Sequence, residues 1–303
     1  MAPPNEEPRW LEALADAVGA QWSVARVEEF DADDISVVAA APPLRSPLSP
    51  LSNLRLIQSL WAGVEVILAD PGLRTDVHLA RMRDPEMERS MALSVSAHVL
   101  AYHLHHDEYR RQQTASAWGQ IYGVPPGERS VLVLGLGSMG LAVAETLVDL
   151  GFVVTGMARR HRTHPRVDVI TPGALDERLS TTDVLVNILP LTDDTRDILD
   201  LELMSRLPRG AAIVNVARGA HLVEADLLEL LDSGHLRHAF LDVFRTEPLP
   251  SDHPFWRHPR VTITPHMAAP TFPTSGAQFV AEQLERLEAG EPLVNLVDHD
   301  AGY

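Results

Sequence analysis

A glycine-rich hexapeptide, GLGSMG at residues 135–140, constrains the fold of this chain more than any other feature of its sequence. It follows the apolar run VLVL and opens a helical pattern, an order typical of a strand–turn–helix unit that binds a dinucleotide. Gly135 allows the tight turn, Gly137 lets a pyrophosphate approach the backbone, and Gly140 lets the helix pack closely on the strand.

The first helical turn after these glycines adds a second argument. The backbone N–H groups of Ser138 and Met139 come at a helix N-terminus, where they have no acceptor within the helix, so they suit a diphosphate. A glycine-rich turn that holds no ligand is the alternative. The strand before the turn and the helix after it favour the dinucleotide site.

Strand and helix patterns alternate from Ser130 onward, which is typical of an α/β fold with a doubly wound parallel sheet. We predict a Rossmann dinucleotide-binding domain over residues 100–271. A smaller, discontinuous, flavodoxin-like α/β substrate-binding domain is predicted from residues 1–99 and 272–303.

Helical spacing of apolar residues predicts three helices outside the alternating region, and the last of them is expected to return to the N-terminal region. The three helices span residues 9–19, 85–109 and 274–289. The predicted strands are 36–40 and 54–60 in the smaller domain, and 131–134, 152–156, 184–188, 211–216, 238–242 and 261–264 in the larger.

Charge and composition exclude several classes of function. The chain has 25 basic and 42 acidic residues and a net charge of −17, which disfavours nucleic acid and anionic membranes as partners. It has no cysteine, so disulfides, thiolate metal sites and a thiol nucleophile are excluded. No apolar run approaches the roughly 18 residues of a membrane span, and the N-terminus lacks the pattern of a signal peptide. We therefore expect a cytoplasmic enzyme.

The segment GMARRHR at residues 156–162 decides which dinucleotide is expected. An NAD site usually carries Asp or Glu at this point, after the second strand. Here the chain has Arg159 and Arg160, whose guanidinium groups bind a 2′-phosphate that a carboxylate would repel. A solvated basic loop is the alternative. Arginines clustered at one place in an acidic chain favour NADP(H), with NAD(H) as the weaker cofactor.

Three polar side chains follow apolar strands of the predicted sheet. Arg218 is the penultimate residue of AAIVNVARG, Glu247 follows AFLDVF, and His266 follows VTIT and a proline. An Arg at a strand's carboxyl end can clamp a carboxylate and polarise a carbonyl, and a carboxylate bonded to imidazole fixes its tautomer and favours its protonated form. A surface salt bridge is the alternative for each residue alone. Together, after a nucleotide fingerprint, they indicate a hydride-transfer site.

Four histidines, His98, His103, His105 and His106, fall on one predicted helix. A metal site is conceivable because His103 and His106 are three residues apart. No second cluster of matching ligands follows them, so we predict no metal and a solvated or interface helix.

These motifs resemble those of the D-2-hydroxyacid dehydrogenase family, most closely its NADP-dependent glyoxylate/hydroxypyruvate reductase A type. The resemblance covers nearly the whole chain. The motifs that carry it are LWAGV (60–64), GLGSMG (135–140), ARR (158–160), NILPLT (187–192), VNVARG (214–219), LDVF-x-x-EPLP (241–250), HPRVTITPHMAA (258–269) and AGY (301–303).

The resemblance implies a role for each motif. Arg218 would hold the carboxylate and carbonyl of the substrate, His266 would act as acid and base, and Glu247 would be the partner of His266. The other implied contacts are Ala158, Arg159, Arg160, Leu189, Pro190 and Asp242 for the cofactor, and Trp61, Ala62, Gly63 and Val64 for the substrate.

The resemblance also implies a homodimer built on the dinucleotide domain, with Trp118 reaching toward the partner. Two departures from the family pattern concern the smaller domain. The chain begins with MAPPNEEP where relatives usually have a strand, so we expect one edge strand fewer. Trp61 stands where a small residue is common, and its indole is expected either to narrow the substrate space or to pack in the core.

The predicted reaction is NADPH-dependent reduction of a small 2-oxo acid, of the glyoxylate or hydroxypyruvate class, to the D-2-hydroxy acid. Hydride transfer would be accompanied by proton donation from His266. A cofactor-sensing, corepressor-like protein with little turnover is the alternative on the same fold, and the intact trio argues against it. A methyltransferase that binds S-adenosylmethionine would leave Arg159 and Arg160 unexplained.

Overall fold

The computed structural model describes residues 6–41, 44 and 47–298, so the N-terminal MAPPN and the motif AGY lie outside the described residues. The chain divides into two compact units, residues 1–87 with 271–303 and residues 88–270.

Sequence analysis placed the first domain boundary after residue 99, whereas the structure has it after residue 87, twelve residues earlier. It placed the second domain boundary after residue 271, one residue later than in the structure. The reason lies in the helix that begins at Pro85. Its apolar residues Met91, Val95 and Val99 pack in one core with strand residues of the larger unit. Residues 88–99 are therefore part of that unit.

The helices and strands keep chain order in their numbering. Helices α1 to α9 are Glu7–Ala17, Glu65–Leu68, Pro85–His103, His106–Thr114, Ser138–Asp149, Leu175–Leu179, Leu201–Ser205, Glu224–Asp232 and Pro273–Ala289. Strands β1 to β10 are Val37–Ala40, Leu56–Ser59, His78–Ala80, Ser130–Leu134, Val153–Met157, Asp168–Ile170, Val184–Asn187, Ala211–Asn215, Leu236–Leu241 and Val261–Ile263.

The larger unit is built on a parallel sheet of order β10-β9-β8-β7-β4-β5-β6, which confirms the predicted doubly wound sheet. Alternate residues of β4 face opposite sides: Val131 and Val133 pack in one core, Leu132 and Leu134 in the other. Both faces are thus covered, which explains the uninterrupted apolar sequence. The strand order reverses at β4, and in such sheets ligands bind at the carboxyl ends of the strands beside this reversal.

The predicted long helix does not continue to Tyr109. It stops at His103, and His105 has a left-handed backbone with φ of 59° before α4 begins. The cause is a side chain from β9: the guanidinium of Arg237 donates to the carbonyl of Tyr102 and bonds His105 Nδ1 at 3.2 Å. Arg237 also pairs with buried Asp107 at 3.0 Å, which fixes the start of α4.

Two short strands were missed by sequence analysis, β3 in the smaller unit and β6 in the larger. Each has three residues, too few for an alternating pattern to be recognised. They pair with β2 and β5 respectively, and in both cases the pairing is parallel.

The smaller unit has a parallel sheet of order β1-β2-β3. The last helix, α9, packs against α1 as expected: a Cβ added to Gly276 would lie 2.6 Å from the indole of Trp10. Residue 296 then forms an antiparallel bridge to Ala80 of β3. In the part of the chain that the structure describes, no strand precedes α1, and no helix is long and apolar enough to cross a membrane.

Candidate active site

The glycine fingerprint forms the turn between β4 and α5, and an added side chain would have a different effect at each of its three glycines. Gly135 has φ of +98°, and a Cβ there would lie 2.8 Å from the carbonyl oxygen of Ile188. A Cβ on Gly140 would lie 1.8 Å from the carbonyl oxygen of Gly135, so α5 could not start so close to the turn. A Cβ on Gly137 would meet nothing within 4 Å. The turn is compact inside and open at Gly137, as a phosphate cradle requires.

Helix α5 starts at Ser138, and its N-cap, Gly137, provides no side-chain hydrogen bond to the first turn. The N–H groups of Ser138 and Met139 belong to that turn, where an anion is favoured by the helix dipole and by backbone donors. The strand–turn–helix context predicted from the sequence is therefore present.

The arginine segment follows β5 directly, with Ala158 donating its backbone N–H to Ile170 of β6 at 2.9 Å. Arg159 and Arg160 are exposed at the carboxyl end of the sheet. Arg162 is turned back, and its guanidinium donates to the carbonyl of Leu136 in the glycine turn. Two arginines of this segment are thus exposed at the edge of the sheet where the cofactor is expected, while Arg162 supports the turn.

Leu189 and Pro190 follow β7, on the other side of β4 from the arginine segment. The Leu189 amide donates to Asn187 Oδ1 at 3.2 Å, and the Pro190 carbonyl accepts from Thr195 Oγ1 at 2.7 Å. Both residues are half-buried at the carboxyl edge of the sheet. They border the glycine turn, because Ile188 is the residue that Gly135 approaches.

His266 and Glu247 form a hydrogen-bonded pair, with His266 Nδ1 and Glu247 Oε2 separated by 2.7 Å. The second carboxylate oxygen, Oε1, accepts from the Phe244 amide at 2.9 Å. Burial alone raises the pKa of Glu247, but hydrogen bonds from His266 and Phe244, with the positive charges of His266 and Arg218, hold it below its usual value. The carboxylate is therefore charged and oriented, and Nε2 is the imidazole nitrogen on the far side from it.

A buried carboxylate shapes the turn that carries His266. Asp242 is 1% exposed and accepts from Thr264 Oγ1 at 2.6 Å and from the amides of Met267 and Ala268, each at 2.9 Å. Its backbone carbonyl accepts from the His266 amide at 2.7 Å. These bonds hold His266 at φ of 54°, a left-handed conformation unusual for a non-glycine residue.

This arrangement bears on the role predicted for Asp242. Sequence analysis assigned its side chain to the nicotinamide of the cofactor, whereas its carboxylate has three partners within the protein. The contact with the cofactor stays a prediction. The structure adds that Asp242 holds the backbone turn that carries His266.

Arg218 comes three residues after the end of β8, next to the segment that carries Glu247. The glycine after it explains this approach: a Cβ on Gly219 would lie 1.9 Å from the carbonyl carbon of Phe244, so only glycine fits. Arg218 Nη1 donates to the Ala217 carbonyl at 2.6 Å. Its charge is close enough to lower the pKa of Glu247. The structure thus brings the three predicted residues into one neighbourhood.

In the smaller unit, residues 61–64 form the turn between β2 and α2. Buried Ser59, which sequence analysis missed, holds it: the Ser59 hydroxyl accepts from the Trp61 amide at 3.1 Å and donates to the Trp61 carbonyl at 2.9 Å. Val64 is buried, whereas the Trp61 side chain is 37% exposed. The alternative that Trp61 packs in the core is therefore wrong.

The histidines of the predicted long helix do not gather. His103 packs edge-on against Phe152 with ring centroids 5.2 Å apart, and it is buried rather than solvated. His98 stacks on Phe240, and burial lowers the pKa of His98. Among the described residues no group of three or more His, Cys, Asp or Glu side chains is placed to hold a metal ion.

Comparison with known proteins agrees with this geometry. The family model of the D-isomer specific 2-hydroxyacid dehydrogenase, NAD binding domain, matches residues 96–268. Glyoxylate/hydroxypyruvate reductase A of Klebsiella pneumoniae (strain 342) is 37% identical over 306 residues, covering 98% of this chain and 97% of its own. This chain belongs to the D-isomer specific 2-hydroxyacid dehydrogenase family. The family predicted from the sequence motifs is confirmed.

Two solved structures share the fold of this chain. One, from Xanthobacter autotrophicus Py2 in complex with NADPH and MES, has a TM-score of 0.92 and 34% identity and covers 100% of this chain and 98% of its own. The other is an NADPH-dependent glyoxylate/hydroxypyruvate reductase from Sinorhizobium meliloti in complex with NADP and sulfate. Its TM-score is 0.90 and its identity 33%, and the match covers 98% of this chain and 96% of its own. The predicted Rossmann domain with a second α/β domain is confirmed.

Proposed function

We propose that this dehydrogenase reduces a small 2-oxo acid, of the glyoxylate or hydroxypyruvate class, to the D-2-hydroxy acid with NADPH. The observation that carries the proposal is the His266–Glu247 pair at 2.7 Å, close to the charge of Arg218. The relatives named above support the choice of substrate class and cofactor.

The larger unit carries groups that fit a dinucleotide phosphate. The turn is open at Gly137, where the absence of a Cβ leaves room for a diphosphate on the amides of Ser138 and Met139. Arg159 and Arg160 would hold the 2′-phosphate as paired guanidinium donors. When bound, NADPH supplies the hydride that the carbonyl carbon of the substrate receives.

The remaining roles belong to side chains of this chain. His266 holds a proton at Nε2 and gives it to the carbonyl oxygen, while the charged Glu247 carboxylate fixes the ring through Nδ1. Arg218 binds the substrate carboxylate and stabilises the negative charge that develops on the oxygen. Binding of the substrate by Trp61, Ala62, Gly63 and Val64 stays a prediction, and so does a cytoplasmic location.

A steady-state screen tests the proposed function. Glyoxylate, hydroxypyruvate, pyruvate and bulkier 2-oxo acids are each assayed with NADPH and with NADH. We expect turnover with the two smallest polar acids and a preference for NADPH. Tight NADPH binding without turnover of any 2-oxo acid would contradict the proposal and favour the corepressor-like alternative.

The first prediction concerns cofactor choice. Replacing Arg159 and Arg160 with glutamine is expected to raise KM for NADPH about tenfold or more, because hydrogen bonds to charged groups contribute about 1.5–3 kcal/mol each. KM for NADH should change little. Arg166→Gln is the matched control, since Arg166 comes four residues after this segment and pairs with Asp149. Equal effects on the two cofactors would refute the assignment.

The second prediction concerns Trp61. Trp61→Ala is expected to increase activity on larger 2-oxo acids, with discrimination changing by about 1–3 kcal/mol. Its melting temperature should stay close to that of the wild type, because the indole is partly exposed. Trp10→Ala, which empties a buried core position, should instead cost roughly 3–5 kcal/mol of stability without altering substrate preference. An unchanged substrate profile of Trp61→Ala would remove this residue from the site.

The third prediction concerns assembly as a homodimer through the larger unit. Trp118 is 96% exposed and Tyr122 89%, an unusual amount of aromatic surface on one segment. Trp118→Glu is expected to raise the dimer dissociation constant about tenfold or more, since burying such a side chain contributes about 1.5–3 kcal/mol. Trp256→Glu, the same change at a half-exposed indole elsewhere in the larger unit, should leave the dissociation constant unaltered. Sedimentation velocity measures both, and a monomeric wild type at micromolar concentration would contradict the dimer.

A further inference from the structure

Three polar side chains with no exposed surface lie together at the carboxyl ends of β7 and β8. Asn187 ends β7, Asn215 ends β8, and His221 closes the 3₁₀ turn that follows Arg218. None of them is among the residues assigned above to cofactor or substrate. Burying three such groups is unfavourable unless their hydrogen bonds are satisfied.

Backbone donors fix the orientation of the first amide. The Asn187 side-chain atom that faces the Leu189 amide must be the oxygen, Oδ1, because this amide donates a hydrogen bond to it at 3.2 Å. The Asn187 Nδ2 group therefore donates, to Asn215 Oδ1 at 3.0 Å and to His221 Nδ1 at 2.9 Å. His221 thus accepts at Nδ1 and must be neutral, since a charged imidazolium would place an N–H against another donor.

The other ends of the network reach two backbone segments. Asn215 Nδ2 donates to the Arg218 carbonyl at 3.2 Å, and its Oδ1 accepts from the Ala217 amide at 3.3 Å. His221 Nε2 donates to the Pro190 carbonyl at 3.2 Å, which completes the tautomer assignment. In each of these hydrogen bonds the donor and the acceptor are fixed, because backbone N–H and C=O groups form both ends of the network.

We propose that Asn187, Asn215 and His221 are positioning residues that hold the 189–190 segment and the 217–218 segment at a fixed separation. The first segment is assigned to the cofactor and the second carries Arg218, so the network sets the distance between the cofactor ring and the group that binds the substrate. This inference rests on the proposed function for its catalytic consequence.

His221 is the residue whose replacement tests the inference. His221→Leu removes both ring nitrogens, whereas His221→Gln keeps one donor and one acceptor on the same side chain. We expect His221→Leu to lower kcat/KM for the 2-oxo acid with NADPH by about 10- to 100-fold, since misplacement by about 1 Å can cost that much. His221→Gln should recover most of this loss.

His238→Leu is the matched control. His238 is also a buried histidine of the larger unit, and burial lowers its pKa to about 3, so it too is neutral. Its Nε2 bonds Thr262 Oγ1 at 2.9 Å, away from both segments. Both leucine variants are expected to lower the melting temperature, so kinetics are compared at a temperature at which all variants are folded.

A second measurement, amide hydrogen exchange, tests the network in the absence of ligand and turnover. The amides of Leu189 and Ala217 are bonded to asparagine side chains of the network. Their hydrogen exchange should become faster in His221→Leu and stay unchanged in His238→Leu and His221→Gln. NADPH affinity, followed by fluorescence titration, should fall in His221→Leu only.

The outcomes separate the two proposals. If wild type is active and His221→Leu loses no more kcat/KM than His238→Leu, the positioning role is refuted. If wild type reduces no 2-oxo acid, the proposed function fails, and hydrogen exchange alone tests the network. Faster exchange at Leu189 and Ala217 in His221→Leu, but in neither of the other two variants, supports the positioning role. Unchanged exchange in His221→Leu overturns it.

Discussion

His266→Asn is expected to lower kcat for 2-oxo acid reduction by about 10²- to 10⁴-fold, the usual contribution of a positioned general acid. Asparagine is the appropriate replacement because His266 has a left-handed backbone that asparagine tolerates. The variant should therefore fold and bind NADPH as the wild type does. Stopped-flow measurement of NADPH oxidation tests this expectation, and a loss smaller than tenfold would exclude His266 as the proton donor.

The pH dependence of the same reaction gives a further test of that role. Reduction needs protonated imidazole, so its rate should fall as pH rises; oxidation of the hydroxy acid needs neutral imidazole, so its rate should fall as pH drops. Glu247→Gln removes the charge that favours the protonated ring and should shift both limbs to lower pH. Identical profiles for wild type and Glu247→Gln would contradict the pairing.

The lowered pKa of Glu247 also determines the pH range in which the Glu247–His266 pair stabilises the folded protein. A carboxylate whose pKa is lower in the folded than in the unfolded protein contributes stability above its unfolded value, and this contribution is lost as pH falls through the lowered value. The Glu247 carboxylate therefore stays charged to a lower pH than an ordinary glutamate, and the stability that it contributes is lost only on the acid side.

Arg218→Gln is expected to lower kcat by about 10²- to 10³-fold, comparable to removing one donor to a developing oxyanion, and to raise KM for the 2-oxo acid as well. Arg218→Lys should recover little of this, because an ammonium group lacks the planar pair of donors that matches a carboxylate. KM for NADPH should change little. Steady-state kinetics with varied substrate and cofactor separate these effects.

Arg245→Gln is the control for Arg218. Arg245 belongs to the segment beside Gly219, but its side chain bonds the Leu222 carbonyl at 2.7 Å and pairs with Asp197. Its replacement is expected to leave kcat nearly unchanged. If Arg218→Gln behaved like Arg245→Gln, the assignment of Arg218 to the substrate would have to be abandoned.

The sequence alone predicted those elements whose conformation depends on residues close together in the chain. The glycine turn is an example, because its steric requirements involve residues within one strand–turn–helix unit, and the added-Cβ distances at Gly135, Gly137 and Gly140 agree with the predicted roles. The larger sheet was predicted because strand and helix patterns alternate along the chain from Ser130 onward. Three-residue strands such as β3 and β6 carry no such signal.

Interactions between distant parts of the chain explain what sequence analysis missed. The helix break at His105 contains neither glycine nor proline, and it depends on Arg237 from β9. Gly219 could be read as part of a motif, but its contact with Phe244 becomes visible only in three dimensions. The pairing of His266 with Glu247 was expected because both follow parallel strands, which end at the same edge of the sheet.

The packing of α9 on α1 has a consequence for how the chain is synthesised. The smaller unit needs residues on both sides of the continuous segment 88–270, because Gly276 contacts Trp10 and residue 296 pairs with Ala80. While the ribosome makes residues 88–270, the N-terminal part of the smaller unit has been synthesised but its C-terminal part has not. The larger unit can fold in that interval as an unbroken stretch of chain. A nascent chain stopped at residue 270 therefore carries one complete unit and one incomplete unit with an uncovered apolar face.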